Sequence, residues 1–362
     1  MPEIGIIGFE RSGKTSLFNA ITGADRPVGF STHVEPHVGV VKVPDERLDK
    51  LSALYQPKRT TYATLQFIDI PGAGFAAEGA PDTRFLDQLS LADALVHVVR
   101  GFQNDAVPHP DGVDAARDIE SMDLELAFAD VALIDKRLER IGAETKAMKS
   151  AERETAQREA TLLQRLREQL DAGTPVRAAG LSEEERRSLA QYRFLTERPL
   201  LTVVNVGESD VGEAASIAER LRPDDPPAGT EVAALCASLE MELTGLSPDD
   251  AHAYRGEVGA PEGALAQALR LSYSILGLLS FFTVGEDECR AWTITRGDTA
   301  PRASGKIHSD MERGFIRAEV VNWSHLLEAG SEAEARKRAQ LRTEGKDYVV
   351  GDGDVLHVLF NV

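Results

Sequence analysis

Cysteine is nearly missing from this chain: among 362 residues only Cys236 and Cys289 occur. Two thiols cannot build the disulfide framework of a small secreted scaffold, so the expected setting is a reducing cytoplasm. Also missing is any apolar run long enough to cross a bilayer. The first residues pass directly into a strand-like segment, without the basic stretch and apolar core of a leader, so no membrane contact is expected. Cations are outnumbered, 40 Lys and Arg against 59 Asp and Glu, for a formal net charge of −19. That balance excludes a protein gripping nucleic acid over its whole surface, and no DNA sequence specificity is expected. Any RNA contact has to come from a local basic patch. Neither an internal repeat nor a low-complexity tract is evident. Hydrophobic residues make up 42% of the chain and charged residues 27%, enough for a packed core throughout, and the length suits two or three domains.

Against these absences stands one dense motif. Gly8-Phe9-Glu10-Arg11-Ser12-Gly13-Lys14-Thr15 fits G-x-x-x-x-G-K-[ST]. The apolar run Glu3–Ile7 before it reads as a buried strand, and Ser16-Leu17-Phe18-Asn19-Ala20 after it as the first turns of a helix. A strand, a Gly-bounded loop and a helix N-terminus converge backbone N–H groups on anionic oxygens. Residues Glu10 to Ser16 are therefore the candidate phosphate cradle. Lys14 is expected to reach the β- and γ-phosphates, and the Thr15 hydroxyl to ligate Mg2+.

Strand-like Thr64–Asp69 and Leu95–Val99 continue an α/β pattern with a mostly parallel sheet. From about Ile119 the texture changes. Leu124, Phe128, Val131, Ile134, Leu138 and Ile141 recur three or four apart among charges, and Leu163, Leu166 and Leu170 mark a second run. This predicts two antiparallel amphipathic helices, a hairpin or short coiled coil. Ser182 and Glu185 form a capping box for a third helix. The sheet pattern resumes at Pro199–Asn205 and Val232–Leu235, so the helices read as an insertion. Short strand-like pieces after a helix from about Gly263 to Leu279 suggest a separate α+β domain. The expected division is 1–118 and 198–276 for the P-loop domain, 119–197 for the helical insertion, and 277–362 for the last domain.

Two later motifs complete the site. Asp69-Ile70-Pro71-Gly72 fits D-x-x-G, with Asp69 on the magnesium side and the Gly72 N–H facing the γ-phosphate. The next residue, where many GTPases carry a water-orienting Gln, is Ala73, which implies slow hydrolysis or another route. Asn205-Val206-Gly207-Glu208 stands where guanine readers carry N-K-x-D. The missing Lys and the longer Glu208 shift the expectation toward ATP, with GTP still possible. Of the single residues, Cys236 reads as a buried thiol beside the base, His97 as a core histidine, and Trp292 and Trp323 as core of the last domain. Arg290, Arg296, Arg302, Lys306, Arg313 and Arg317 are interspersed with acids and read equally as a basic face or a mixed surface.

Together these motifs, in this order and with this insertion, resemble the YchF family of Obg-related P-loop NTPases, called Obg-like ATPases in eukaryotes. The resemblance covers nearly the whole chain. Val38–Asp45 with Arg47–Leu51 looks like the family's post-switch strand. Ser280–Glu286, Arg290–Ile294, Gly314–Val320 and Glu344–Val350 look like its C-terminal TGS domain, a ubiquitin-like β-grasp. The resemblance implies ATP binding at least equal to GTP binding, and association with ribosomes or ribosomal RNA. Departures are also visible. Arg11 replaces an Asn belonging to a potassium-dependent class. Ser31–Pro36 resembles the family's switch run, but an ungapped match puts His33 at its threonine, so Thr32 ligates the metal only if the loop slides by one residue. Cys236-Ala237-Ser238 stands for an S-A-K-like base loop.

The resulting expectation is a slow, Mg2+-dependent purine nucleoside triphosphatase that switches ribosome association. Lys14, Arg11, Asp69 and Gly72 carry the chemistry, Thr15, Thr32 and Asp69 the metal, and Asn205, Val206, Glu208 and Cys236–Ser238 the base. The alternative is a nucleotide-gated binding module with negligible hydrolysis. A small-molecule kinase leaves the last domain unexplained.

Overall fold

The computed structural model describes residues 1–26, 36–70, 83–108, 112–145, 149–260 and 263–361. In chain order the elements begin β1 (Glu3–Ile7), α1 (Lys14–Thr22), β2 (His37–Lys42), α2 (Glu46–Tyr55), β3 (Arg59–Thr61), β4 (Thr64–Asp69), α3 (Thr83–Leu89) and β5 (Ala94–Gly101). Next come α4 (Ala115–Glu144), α5 (Ser150–Asp171) and α6 (Glu183–Leu189), then β6 (Leu200–Val206), α7 (Ala214–Leu221), β7 (Thr230–Leu235) and α8 (Ala237–Thr244). Helices α9 (Pro248–Val258) and α10 (Ala264–Ile275) lead to β8 (Leu278–Thr283), β9 (Glu288–Thr295), α11 (Ala300–Ile307) and α12 (Ser309–Arg313). The chain closes with β10 (Phe315–Asn322), α13 (Trp323–Ala329), α14 (Glu332–Lys337), β11 (Arg342–Glu344) and β12 (Asp354–Phe360). Two compact units result, one of Met1–Val40 with Gln66–Ile275, the other of Val41–Leu65 with Leu276–Val362.

The first unit carries a sheet in the order β2-β4-β1-β5-β6-β7. Pairings of β1 with β4 and β5, and of β6 with β5 and β7, are all parallel. Every residue of β6 is buried, the continuous apolar signature of a strand covered on both faces. The order brings the C-terminal ends of β4, β1, β5 and β6 side by side, where open parallel sheets bind ligands.

In the insertion, α4 and α5 share a core of Ile134, Ile141, Leu163 and Leu166 that also takes in Phe194. Ion pairs Arg137–Glu159 and Arg167–Asp135 set the two helices antiparallel. The expected apolar stripe differs at its start: Leu124 and Phe128 are 48% and 64% exposed. Met122 and Leu126 pack instead with Ile7, Phe85, Leu89 and Leu95. Asp130 continues that i, i+4 row, buried because its carboxylate accepts the N–H groups of Leu195 and Thr196 and the Thr196 hydroxyl. The capping box is present: Ser182 Oγ accepts from the Glu185 N–H, and Glu185 accepts from the Ser182 N–H.

The second unit has the sheet order β11-β10-β12-β8-β9-β3, with α11 residues Ala300 and Ala303 in the core beside Phe281, Ile294, Phe315 and Leu356. This is the expected TGS-like domain, with one addition. Strand β3 pairs parallel with β9, Arg59 opposite Glu288 and Thr61 opposite Arg290. Residues 41–65, assigned from sequence to the first domain, thus cluster with the second unit, where Arg59–Thr61 forms the sheet edge. The stretch Arg47–Leu51, read as continuing a strand, is helical. The Asp45 carboxylate accepts the Arg47 N–H at the helix start, and the i, i+3 pair Leu48 and Leu51 is fully buried. Trp292 is partly buried against the core of this unit, as expected, and its Nε1 donates to Thr283 Oγ1 at 2.9 Å.

Candidate functional site

The loop between β1 and α1 takes its shape from its glycines. Gly8 has φ +150°, and a Cβ there would stand 2.4 Å from the Val98 carbonyl oxygen. Gly13 has φ +95°, and a Cβ there would lie 2.1 Å from Asn205 Nδ2. Both positions therefore require glycine. Arg11 between them adopts φ +62°, in the left-handed region.

Lys14, the first residue of α1, donates from Nζ to the carbonyls of Gly8 at 2.7 Å and Phe9 at 2.9 Å. The ammonium is thereby held across the mouth of its own loop. Burial pushes its pKa below the ordinary lysine range, while the charges of Asp69 and Glu10 act in the opposite sense. Next to it, Thr15 Oγ1 donates to Asp69 Oδ2 at 3.3 Å. Asp69 ends β4 and is 4% exposed. Burial raises its pKa, and Lys14, His37 and Thr15 oppose the rise. His37 Nδ1 lies 3.9 Å from the same carboxylate oxygen. Sequence reasoning missed His37, which follows the expected switch run and becomes a neighbour of Asp69 only because β2 lies beside β4 in the sheet.

These residues fit Mg2+. A hydroxyl and a buried carboxylate, both hard oxygen donors, adjoin at the N-terminus of α1. Among the described residues no group of three or more His, Cys, Asp or Glu forms an all-protein cage. That matches an ion held by one or two protein oxygens together with substrate phosphates. Thr32 and Gly72, with His33 and Ala73, lie outside the described residues.

At the other end of the loop, Asn205 uses both ends of its amide. Nδ2 donates to the Ser12 carbonyl at 3.0 Å, and Oδ1 accepts the Ala237 N–H at 2.9 Å. The Asn therefore ties the loop before α1 to the Cys236–Ser238 segment. Cys236 is buried, with its Sγ 3.2 Å from Ser238 Oγ. Val206 is also buried, packed with Val211 and Ala214, so its side chain cannot cover a base as a lysine would. Glu208 is exposed at the start of the turn Glu208–Glu213. Glu10 and Arg11 are exposed, and Arg11 Nη1 donates to the Pro108 carbonyl at 3.3 Å. Ser12 is buried and Ser16 half-buried.

Phe102 is a second residue that the sequence did not single out. It follows β5, and its Cβ lies 3.6 Å from where a Cβ on Gly207 would stand. Phe102 thus adjoins the turn that carries Glu208. The signal available was a lone aromatic just beyond an inner strand.

Comparison with known proteins agrees with this geometry. Residues 3–146 match a family model described as a 50S ribosome-binding GTPase, and residues 278–361 match the YchF-GTPase C-terminal family, described as a protein of unknown function. The chain is 40% identical over 365 residues to the ribosome-binding ATPase YchF of Bacillus subtilis, covering 99% of both chains. It is 36% identical over 375 residues to that of Mycoplasma genitalium, covering 100% of both. The solved structure of the Schizosaccharomyces pombe YchF GTPase superposes with a TM-score of 0.83 at 28% identity, covering 99% of this chain and 97% of that one.

Proposed function

The chain belongs to the YchF family of P-loop NTPases, and on that premise we propose that it is a slow, Mg2+-dependent purine nucleoside triphosphatase whose nucleotide state governs association with ribosomes. One observation carries the reading: Lys14, Thr15 and Asp69 converge at the N-terminus of α1 and the C-terminal edge of a parallel sheet. Lys14 leaves the Gly8 and Phe9 carbonyls for the β- and γ-phosphates, exchanging neutral acceptors for charged ones. Thr15 and Asp69 hold the metal, joined by Thr32, and Gly72 senses the γ-phosphate. Bound Mg2+ neutralises charge developing on the phosphate oxygens.

ATP is favoured over GTP. Val206 is buried and Glu208 is longer than the Asp of guanine readers, so neither reproduces the N-K-x-D contacts. Phe102 supplies the flat apolar surface at the base end, with Asn205 and the Cys236–Ser238 segment around it. Arg11 leaves Pro108 to stabilise transition-state charge as an arginine finger in cis. The unmodified chain then hydrolyses equally in potassium and sodium, and Arg11→Ala loses turnover far more than affinity. An unchanged rate removes this role. The setting is cytoplasmic. No helix among the described residues is long and apolar enough to cross a membrane, and ribosomal RNA is reached through a local surface.

The test of the main reading is single-turnover hydrolysis of ATP and GTP with Mg2+, with and without ribosomes. Slow ATP cleavage that ribosomes alter supports it. Tight binding without cleavage in either case supports the second reading, a nucleotide-gated binding module, which the apolar Ala73 at the water-orienting position favours.

A further inference from the structure

Among the described residues of the first unit Arg100 is the most deeply buried arginine, 2% exposed near the end of β5, and none of the roles above uses it. In the sheet register it stands opposite Asn205. Its Nε donates to the Phe102 carbonyl at 3.1 Å and its Nη2 to the Val107 carbonyl at 2.6 Å. The guanidinium carbon lies 4.6 Å from the centre of the Phe102 ring. One side chain thus clamps both ends of the segment 102–107 and stacks on its aromatic residue. Within the segment, Asn104 accepts the Ala106 N–H at Oδ1 and the Val107 N–H at its carbonyl. Arg11 reaches the next carbonyl, Pro108.

Burying a guanidinium is costly, so the fork has to be needed. Charge balance with Asp118 is only part of the account. Asp118, the acid that acts on Arg100, already receives Nε and Nη2 of Arg117 at 3.1 and 2.9 Å. Arg100 holds Phe102 by its carbonyl and by its ring, and the Phe102 Cβ lies beside Gly207. A lysine ammonium can bridge two carbonyls, as Lys14 does, but it has no planar face to lie flat on the Phe102 ring.

We infer that Arg100 is a positioning residue for the nucleobase, acting through Phe102 to present a preorganised flat surface to the purine. The inference rests on the nucleotide site proposed above. Preorganisation lowers the ordering cost of binding, so its loss falls on affinity for the base and not on the phosphate end.

The test is calorimetric titration of the full chain and its Arg100→Lys, Phe102→Ala and double variants with Mg·ATP and with Mg·tripolyphosphate, which has no base. Arg100→Lys should raise the ATP Kd about tenfold, the size of one base–aromatic stacking contact, and leave tripolyphosphate unchanged. In steady state KM should rise and kcat hold. The double variant should be no worse than Phe102→Ala alone, because the two act as a unit. Equal ATP affinity in Arg100→Lys, or equal weakening of ATP and tripolyphosphate, overturns the inference. An unmodified chain that binds tripolyphosphate or ATP not at all overturns the site itself, a distinguishable failure. If Arg100→Lys does not fold, Arg100→Gln, which is planar but cannot span both carbonyls, is titrated in its place. Equal ATP affinity in that variant overturns the inference.

Discussion

Removing residues 277–362 looks from the sequence like a clean domain deletion, and the structure predicts the contrary. Segment Val41–Leu65 stays behind with its partners gone. Helix α2 packs on α13 and β9, and its Leu48 and Leu51 are fully buried. Strand β3 loses its pairing with β9, Arg47 loses Asp352 at 2.9 Å, and Arg59 and Thr61 lose Glu288. Re-exposing two leucines costs about 1.5–3 kcal/mol each, or about 3–6 kcal/mol together. The exposed ion pairs add little. That cost falls on the stranded segment, which belongs to the second unit, so the remaining chain should expose an apolar helix face and be aggregation-prone. Light scattering and limited proteolysis of residues 1–276 beside the full chain measure this. A monodisperse truncated chain in which residues 46–61 resist proteolysis refutes the reasoning. Surface substitutions in the C-terminal unit are therefore the better probe of ribosome contact.

Further expectations concern the first unit. Lys14→Ala should lose most affinity for ATP and GTP alike while the thermal unfolding midpoint stays near that of the parent. Thr15→Ala, or removal of Mg2+ with a chelator, should abolish turnover; titration and steady-state assays read both, and an unaffected Lys14→Ala sinks the phosphate-site assignment. His97 is 1% exposed with its pKa pushed down to about 3, chiefly by burial and secondarily by Lys14. Its folded pKa lies below the unfolded value near 6.5, so the stability it contributes is present above that value and lost on acidification. Between pH 6.5 and 5 the loss should be about 2 kcal/mol. Urea midpoints at both pH values should show it, and a His97→Asn chain should show a flatter dependence; equal slopes contradict the assignment.

The strand, loop and helix start around Gly8–Thr15 were legible in the sequence because they are local: the spacing of Gly8, Gly13, Lys14 and Thr15 dictates the geometry. The proposed base end was legible only by position. That Asn205 spends its amide on Ser12 and Ala237 follows from the parallel register of β5, β6 and β7, which no single segment encodes. His37 and Phe102 were missed for the same reason, each becoming a site neighbour through strand order. The exposed Leu124 and Phe128 show the converse. Their spacing was helical, yet which face is buried was decided by Met122 and Leu126 meeting the core around Ile7. The clustering of residues 41–65 with the second unit includes non-local pairing between β3 and β9, with more than 200 residues between them in the chain.

The most direct test of the central claim is ribosome co-sedimentation of the full chain and its Lys14→Ala variant with Mg2+ and a non-hydrolysable ATP analogue, ADP or no nucleotide. The account predicts that the fraction pelleted changes with nucleotide for the parent and is insensitive to nucleotide in Lys14→Ala. Equal sedimentation of the parent in all three states would contradict it.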